Sequence, residues 1–179
     1  MKKRWFLLGL VLILSTSMAF AEFRFELGAQ IPIGAGALTS SLNLSSDYAD
    51  IVSVAGFLPI PTVSVLFQGE LGSFKLGGGL RIYSLILASI AYPQIQAELG
   101  LGDVSLDFSL GGLLLGYYAI GGLGGIEGID LLLPELSLWY SLGARKLFRL
   151  GVGAIGLIPT DFNISGLPFL FYGGFKVVL

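Results

Sequence analysis

Phe23-Arg24-Phe25-Glu26-Leu27-Gly28-Ala29-Gln30-Ile31 alternates without a slip: the odd positions are apolar, and the even ones are charged, polar or glycine. Successive side chains of a β-strand point to opposite faces, so this segment has one wholly apolar face and one polar face. The same two-residue period recurs at intervals down to Leu179. A sheet made of such strands needs a greasy medium on one side and a polar one on the other, which a closed barrel in lipid supplies.

The residues before this stretch read as an export signal. Lys2, Lys3 and Arg4 form a charged start, Trp5 to Leu14 an apolar core, and Ala19-Phe20-Ala21 a small-x-small cleavage site before Glu22. The apolar run is short for a membrane-spanning helix. The expected organisation is therefore a cleaved signal peptide over 1–21 and a single domain over 22–179. Loss of Lys2, Lys3 and Arg4 takes the formal charge from −2 to about −5. No basic face remains, so nucleic acid is not an expected partner. The chain has no cysteine, which removes disulfides and thiolate metal sites.

Hydrophobic residues make up 54% of the chain and charged residues 12%, against about 45–50% and 25% in soluble domains. Such a chain needs lipid around it, and lipid admits helices or closed barrels. Residues 51–69 and 108–126 are uncharged and long enough for helices. The pairs Gly111-Gly112, Gly121-Gly122 and Gly124-Gly125 weaken helices, and charges at every second position would fall on lipid-facing sides of one. The expected fold class is all-β: a transmembrane antiparallel up-and-down barrel of eight strands.

The eight segments are 22–33, 61–71, 74–88, 94–101, 104–118, 131–142, 147–157 and 167–179, each near or above the roughly 9–11 residues a tilted membrane strand needs. Gly72-Ser73 and Gly102-Asp103 suit two-residue hairpin turns. Gly143-Ala144-Arg145-Lys146 is nearly as short. The other connections, 34–60, 89–93, 119–130 and 158–166, are expected to be longer loops at the opposite end. Loop 34–60 reads either as an irregular surface loop or, with a short helix over Asp47–Ala55 and an apolar run from Ile51 to Leu58, as a lid or a membrane-dipping segment.

Counting faces along each segment places Arg24, Glu26, Glu70, Lys75, Arg81, Glu98, Asp107, Glu135, Arg149 and Lys176 inward as a balanced charge network. Tight turns oppose Glu70 to Lys75 and Glu98 to Asp107. The second pair is two carboxylates, so a cation is needed nearby, and Arg81 on the neighbouring strand is the candidate. Toward the long loops the inward count turns apolar: Leu85, Leu87, Leu113, Leu115, Leu133, Ile155, Leu157 and Leu170. These side chains either pack on one another, or lie in a register shifted by a bulge, or line a site for a small apolar solute. An eight-stranded barrel holds little more than its own side chains, so the charged layer should act as a plug. No metal-ligand cluster, phosphate loop or nucleotide fingerprint occurs, and neither a metal nor a cofactor is expected.

The leader, the eight dyad segments, the alternation of short and long connections and the ending Phe171-Tyr172-Gly173-Gly174-Phe175-Lys176-Val177-Val178-Leu179 resemble the small bacterial outer-membrane barrels of the OmpA, OmpX and OmpW type. The resemblance covers the whole chain after the leader. It implies residence in the bacterial outer membrane, lipid as the surrounding partner, and delivery by the barrel-assembly machinery through the C-terminal strand. Likeness to the OmpW type implies passage or binding of small hydrophobic molecules. The alternatives are a structural envelope protein or an adhesion protein acting through loop 34–60. Barrel enzymes of this architecture use a histidine. This chain has none, so a non-enzymatic role is expected.

Overall fold

In a computed structural model, the described residues are 21–33, 58–85, 88–120, 123–160 and 169–179. Residues 1–20 of the expected leader, most of the expected loop 34–60 and residue Leu87 lie outside them. Eight strands run in chain order: β1 (Glu22–Ile33), β2 (Ile60–Leu71), β3 (Phe74–Leu85), β4 (Ala88–Leu101), β5 (Val104–Ile120), β6 (Leu123–Leu142), β7 (Phe148–Gly156) and β8 (Phe169–Val178). After a break at Leu157, the residue pair Ile158–Pro159 continues β7 and pairs with Leu131 and Leu132 of β6. Each strand pairs antiparallel with its neighbour in sequence, and β8 returns to pair with β1 over Glu26–Ile33. The sheet thus closes on itself into a barrel, and only the far end of β6, from Leu123 to Asp130, extends beyond its pairing with β7.

Closure begins at two tight turns. Leu71 pairs with Phe74 and Leu101 with Val104, leaving two-residue loops. Gly72 and Gly102 take φ of +63° and +74°, while Ser73 and Asp103 do not share the positive φ. A positive φ confined to the first turn residue is the type II′ pattern, which matches strand twist and favours glycine there. At the same end, residues 143–147 join β6 to β7 through Gly143, at φ +75°, and Lys146, at φ +53°. The Lys146 amide donates to the Gly143 carbonyl at 3.1 Å.

The burial pattern is inverted relative to a soluble protein. Phe23, Leu27, Phe67, Phe108, Leu136, Leu138, Val152, Phe171 and Phe175 are exposed on the outer wall. Their neighbours Arg24, Glu26, Gln68, Asp107, Glu135, Ser137 and Lys176 are buried in the lumen. One residue of phase separates the two sets, which is why register is tightly specified here.

The far end departs from the sequence-based expectation. Residues 89–93, expected as a loop, belong to β4; Tyr92 pairs with Arg81 and Ile90 with Tyr83. The physical reason lies at Pro93, which cannot donate to a ladder. It falls where the β4–β5 register shifts, between Ala91 and Gln94, and a bulge tolerates a missing donor. The expected loop 119–130 is mostly strand as well: β5 and β6 continue as a hairpin to the pair Ile120–Leu123. Pairing there is carried by backbone, so the glycines at 124, 125 and 128 do not break it.

A second irregularity lies between Gly112 and Leu114, where the β5–β6 register shifts. Leu113 there has φ +53°. This bulge overturns the inward count for two residues. Leu113 is 68% exposed and Leu115 59% exposed, both on the outside. A bulge moves every following side chain of its strand by one face, and the unbroken run Leu113-Leu114-Leu115 carries no polar residue to reveal it.

Candidate functional site

Chemistry-bearing side chains converge in the lumen. Its buried charges are Arg24, Arg81, Arg149 and Lys176 against Glu26, Glu98, Asp107 and Glu135, four of each sign. Alternation on β1, β3, β4, β5, β6, β7 and β8 aims all eight inward. Neutrality inside low-dielectric surroundings is what such a set requires, since an unpaired buried charge is costly.

The charges form two groups. In the group nearer the short turns, Arg24 pairs with both Glu26 and Glu98. Arg149 donates from Nη1 to Glu98 Oε1 at 3.0 Å and to Ser105 Oγ at 3.2 Å. Lys176 Nζ lies 2.9 Å from Asp107 Oδ2 and 3.3 Å from Glu26 Oε1. Its ammonium also sits 4.5 Å from the centre of the Trp139 ring, a cation–π contact. Gln68 and Gln96 complete this group; Gln68 Oε1 accepts from Arg24 at 2.9 Å.

The second group centres on Glu135, which accepts from Arg81, from the Tyr172 hydroxyl and from Ser109 Oγ, the last at 3.0 Å. Arg81 Nε donates to Ser64 Oγ at 3.1 Å. This corrects the expected partner of Arg81. Glu98 and Asp107 do oppose each other across β4 and β5. Their cations, however, are Arg24, Arg149 and Lys176, which reach across the lumen from strands that are not neighbours. Arg81 spends its charge on Glu135.

Glu70 and Lys75 are directly opposed, and their charges meet at 3.5 Å. They sit at the mouth beside the Gly72 turn, with Lys75 34% and Glu70 54% exposed, so they are rim residues and not part of the buried network.

An aromatic and apolar cluster begins among the charges, at Trp139 and Tyr172, and continues toward the far end. Tyr92, Leu133, Trp139, Ile155 and Tyr172 form a buried cluster, with Tyr83, Leu131 and Leu157 packed against it. Tyr83 and Tyr92 stack with centroids 6.0 Å apart. Trp139 donates its indole N–H to Ser137 Oγ at 2.9 Å. Of the residues counted as an apolar lining, Leu133 and Ile155 are buried inside, and Leu157 and Leu170 are half-buried. Leu113 and Leu115 are outside; Leu87 and the side chain of Leu85 lie outside the described residues. Tyr92 is the main residue that sequence reasoning missed. Extending the even-position pattern of Gln94, Gln96 and Glu98 back across Pro93 would have found it.

No group of three or more His, Cys, Asp or Glu side chains able to hold a metal occurs among the described residues. The four buried carboxylates are each paired with cations or hydrogen-bond donors of the chain itself.

Polar filling within, an apolar wall without and a closed hydrogen-bonded ladder define the class: a small outer-membrane-type β-barrel of eight strands. Among solved structures the chain is similar to the N-terminal β-barrel domain of Pseudomonas aeruginosa OprF, with 8% identity and a TM-score of 0.47 over 88% of this chain and 96% of that one. It is also similar to Neisserial surface protein A, with 10% identity and a TM-score of 0.43 over 87% of this chain and 94% of that one. No family model matches the chain, and no curated protein matches it.

Proposed function

We propose that this chain is a non-enzymatic barrel of the bacterial outer membrane, whose lumen is closed by its own side chains and whose role is in the envelope itself. The apolar outer wall carries this reading. Phe23, Phe67, Phe108, Leu138, Val152 and Phe171 stand exposed around the barrel, and a soluble monomer does not tolerate so extensive a continuous apolar surface. Lipid is then the principal partner, and the barrel-assembly machinery receives the C-terminal strand.

Binding of a small apolar solute is the finer reading. What supports it is the inward placement of Leu133, Ile155 and Leu157 next to Tyr92 and Tyr172. What weakens it is that these residues pack on one another and that Leu113 and Leu115 face out. Action through loop 34–60 as an adhesion surface rests on the sequence alone.

Fractionation of cells expressing the full chain tests the main reading. The protein should co-fractionate with outer membranes, migrate differently on gels before and after boiling, and give little or no single-channel conductance in planar bilayers. Recovery in a soluble fraction, or a large steady conductance, would overturn it.

A further inference from the structure

We infer that the short-turn mouth of the barrel is a binding site for a phosphate-bearing anion, with Arg24, Gln68 and Arg149 at its floor and Lys75, Arg145 and Lys146 at its rim. A cavity of about 400 Å³ opens there, and all six residues line it. The site stands whether or not the barrel has the envelope role proposed above.

The floor calls for an acceptor. Arg24 and Arg149 both commit Nη1 to Glu98. Their Nε atoms are buried and find no acceptor among the described residues. Gln68 uses its Oε1 on Arg24, which fixes the amide orientation, and its Nε2 is likewise buried without an acceptor. All three residues are more than nine-tenths buried. Every one of these unmatched atoms is an N–H donor. Among lumen residues that do not line the cavity the unmatched atoms are mixed: both amide atoms of Gln94, and the acceptors Gln96 Oε1 and Asp107 Oδ1. A donor-only floor is matched by a ligand that only accepts.

The rim supplies charge. Five cationic side chains line the cavity, against the side-chain carboxylates of Glu22 and Glu70 and the carboxylate of Leu179, the last residue of the sequence. Lys75 is held by Glu70, and Lys146 by Asp103 at 2.8 Å, but both pairs are substantially solvent-exposed and so weak. Arg145 has no ion-pair partner among the described residues. These donors come from β1, β2, β3, β7 and the 143–147 turn, on different sides of the opening. A carboxylate has two oxygens in one plane and cannot meet them together. A phosphate presents several oxygens in a tetrahedral array and suits converging guanidinium groups. The apolar border made by Phe23, Leu147 and Val178 suits the glycerol and first acyl carbons of a phospholipid, so the phosphate can come from a lipid headgroup or be free.

The test uses the full chain folded in uncharged maltoside micelles. Calorimetric titration is made with inorganic phosphate and, separately, with dihexanoyl phosphatidylglycerol, against a chloride control of equal ionic strength. Saturable binding of at least one probe, weakening with added salt, is expected. The exposed double variant Arg145→Gln/Lys146→Gln should weaken it about fivefold or more. Gln68→Leu should weaken it while the protein keeps its heat-modifiable migration. Binding of inorganic phosphate identifies a free anion as sufficient; binding of the lipid alone identifies the headgroup; either supports the site. Absence of saturable binding for both probes overturns it, as does affinity unchanged in both variants.

Discussion

The ring of Tyr172 occupies the space over Gly153, the residue directly opposite it on β7. A Cβ placed on Gly153 would lie 2.5 Å from the Tyr172 ring and from its hydroxyl oxygen. That hydroxyl donates to Glu135, on the next strand round. Trp139 stands over Gly151 and Gln68 over Gly77 in the same way. These three glycines yield their volume to a large neighbour, which helps eight strands enclose both aromatic rings and a charge network.

Gly153→Ala should therefore destabilise the barrel, by roughly 1–3 kcal/mol, because the added methyl must push Tyr172 from Glu135. Gly128, also on a strand, has no atom within 4 Å of a built Cβ, and Gly128→Ala should stay within about 0.5 kcal/mol of the parent. Urea unfolding in phospholipid vesicles, followed by tryptophan fluorescence, measures both. Equal effects would mean that the glycine at 153 is not there to make room.

Arg81→Gln should cost about 3–5 kcal/mol by leaving Glu135 buried without its cation. Adding Glu135→Gln should recover part of that loss, since the remaining partners Tyr172 and Ser109 can still donate to a neutral amide. Adding Asp107→Asn instead should recover none, because Asp107 is served by Lys176. If Asp107→Asn rescues Arg81→Gln as well as Glu135→Gln does, the two groups are not separate.

That contrast shows where the sequence is readable and where it is not. Opposition of Glu70 to Lys75 and of Glu98 to Asp107 follows from turn length and a period of two, both local. The partners of Glu98 are not local. Arg24 and Arg149 reach it from strands that do not adjoin β4, and the pairing depends on side-chain length and barrel diameter. The same limit hid the Arg81–Glu135 pair, which joins β3 to β6 across the lumen. Facing was legible wherever a charge or amide marked alternate positions, as on β1 and on β4 from Gln94. It failed at Leu113-Leu114-Leu115, where three identical side chains carry no phase and a bulge resets it.

The outer wall should show a depth dependence. Leu138 lies between Leu106 and Val152, well along β6, while Leu142 pairs with Phe148 beside the turn. Leu138→Arg should cost about 2–4 kcal/mol in lipid vesicles and Leu142→Arg about 0–1 kcal/mol. Folding equilibria in thin and thick bilayers measure this. A substitution at 138 that is no worse than one at 142 would argue against lipid contact along that face.

The two leucines on either side of the bulge provide the sharpest test of facing. Leu133 belongs to the buried cluster that also holds Tyr172 and Trp139, whereas Leu113 is exposed to the outside at φ +53°. The sequence holds two tryptophans, so in a Trp5→Phe background the emission of Trp139 reports the lumen alone. Leu133→Arg would place a cation in that cluster, and it should shift that emission to the red and lower the unfolding midpoint. Leu113→Arg should leave the emission unchanged, because its side chain meets only the surroundings of the barrel. Any saturable binding of an apolar fluorescent probe should follow the same division, lost with Leu133→Arg and kept with Leu113→Arg. The reverse outcome would place Leu113 in the lumen and return the apolar lining to the arrangement that unbroken alternation predicts.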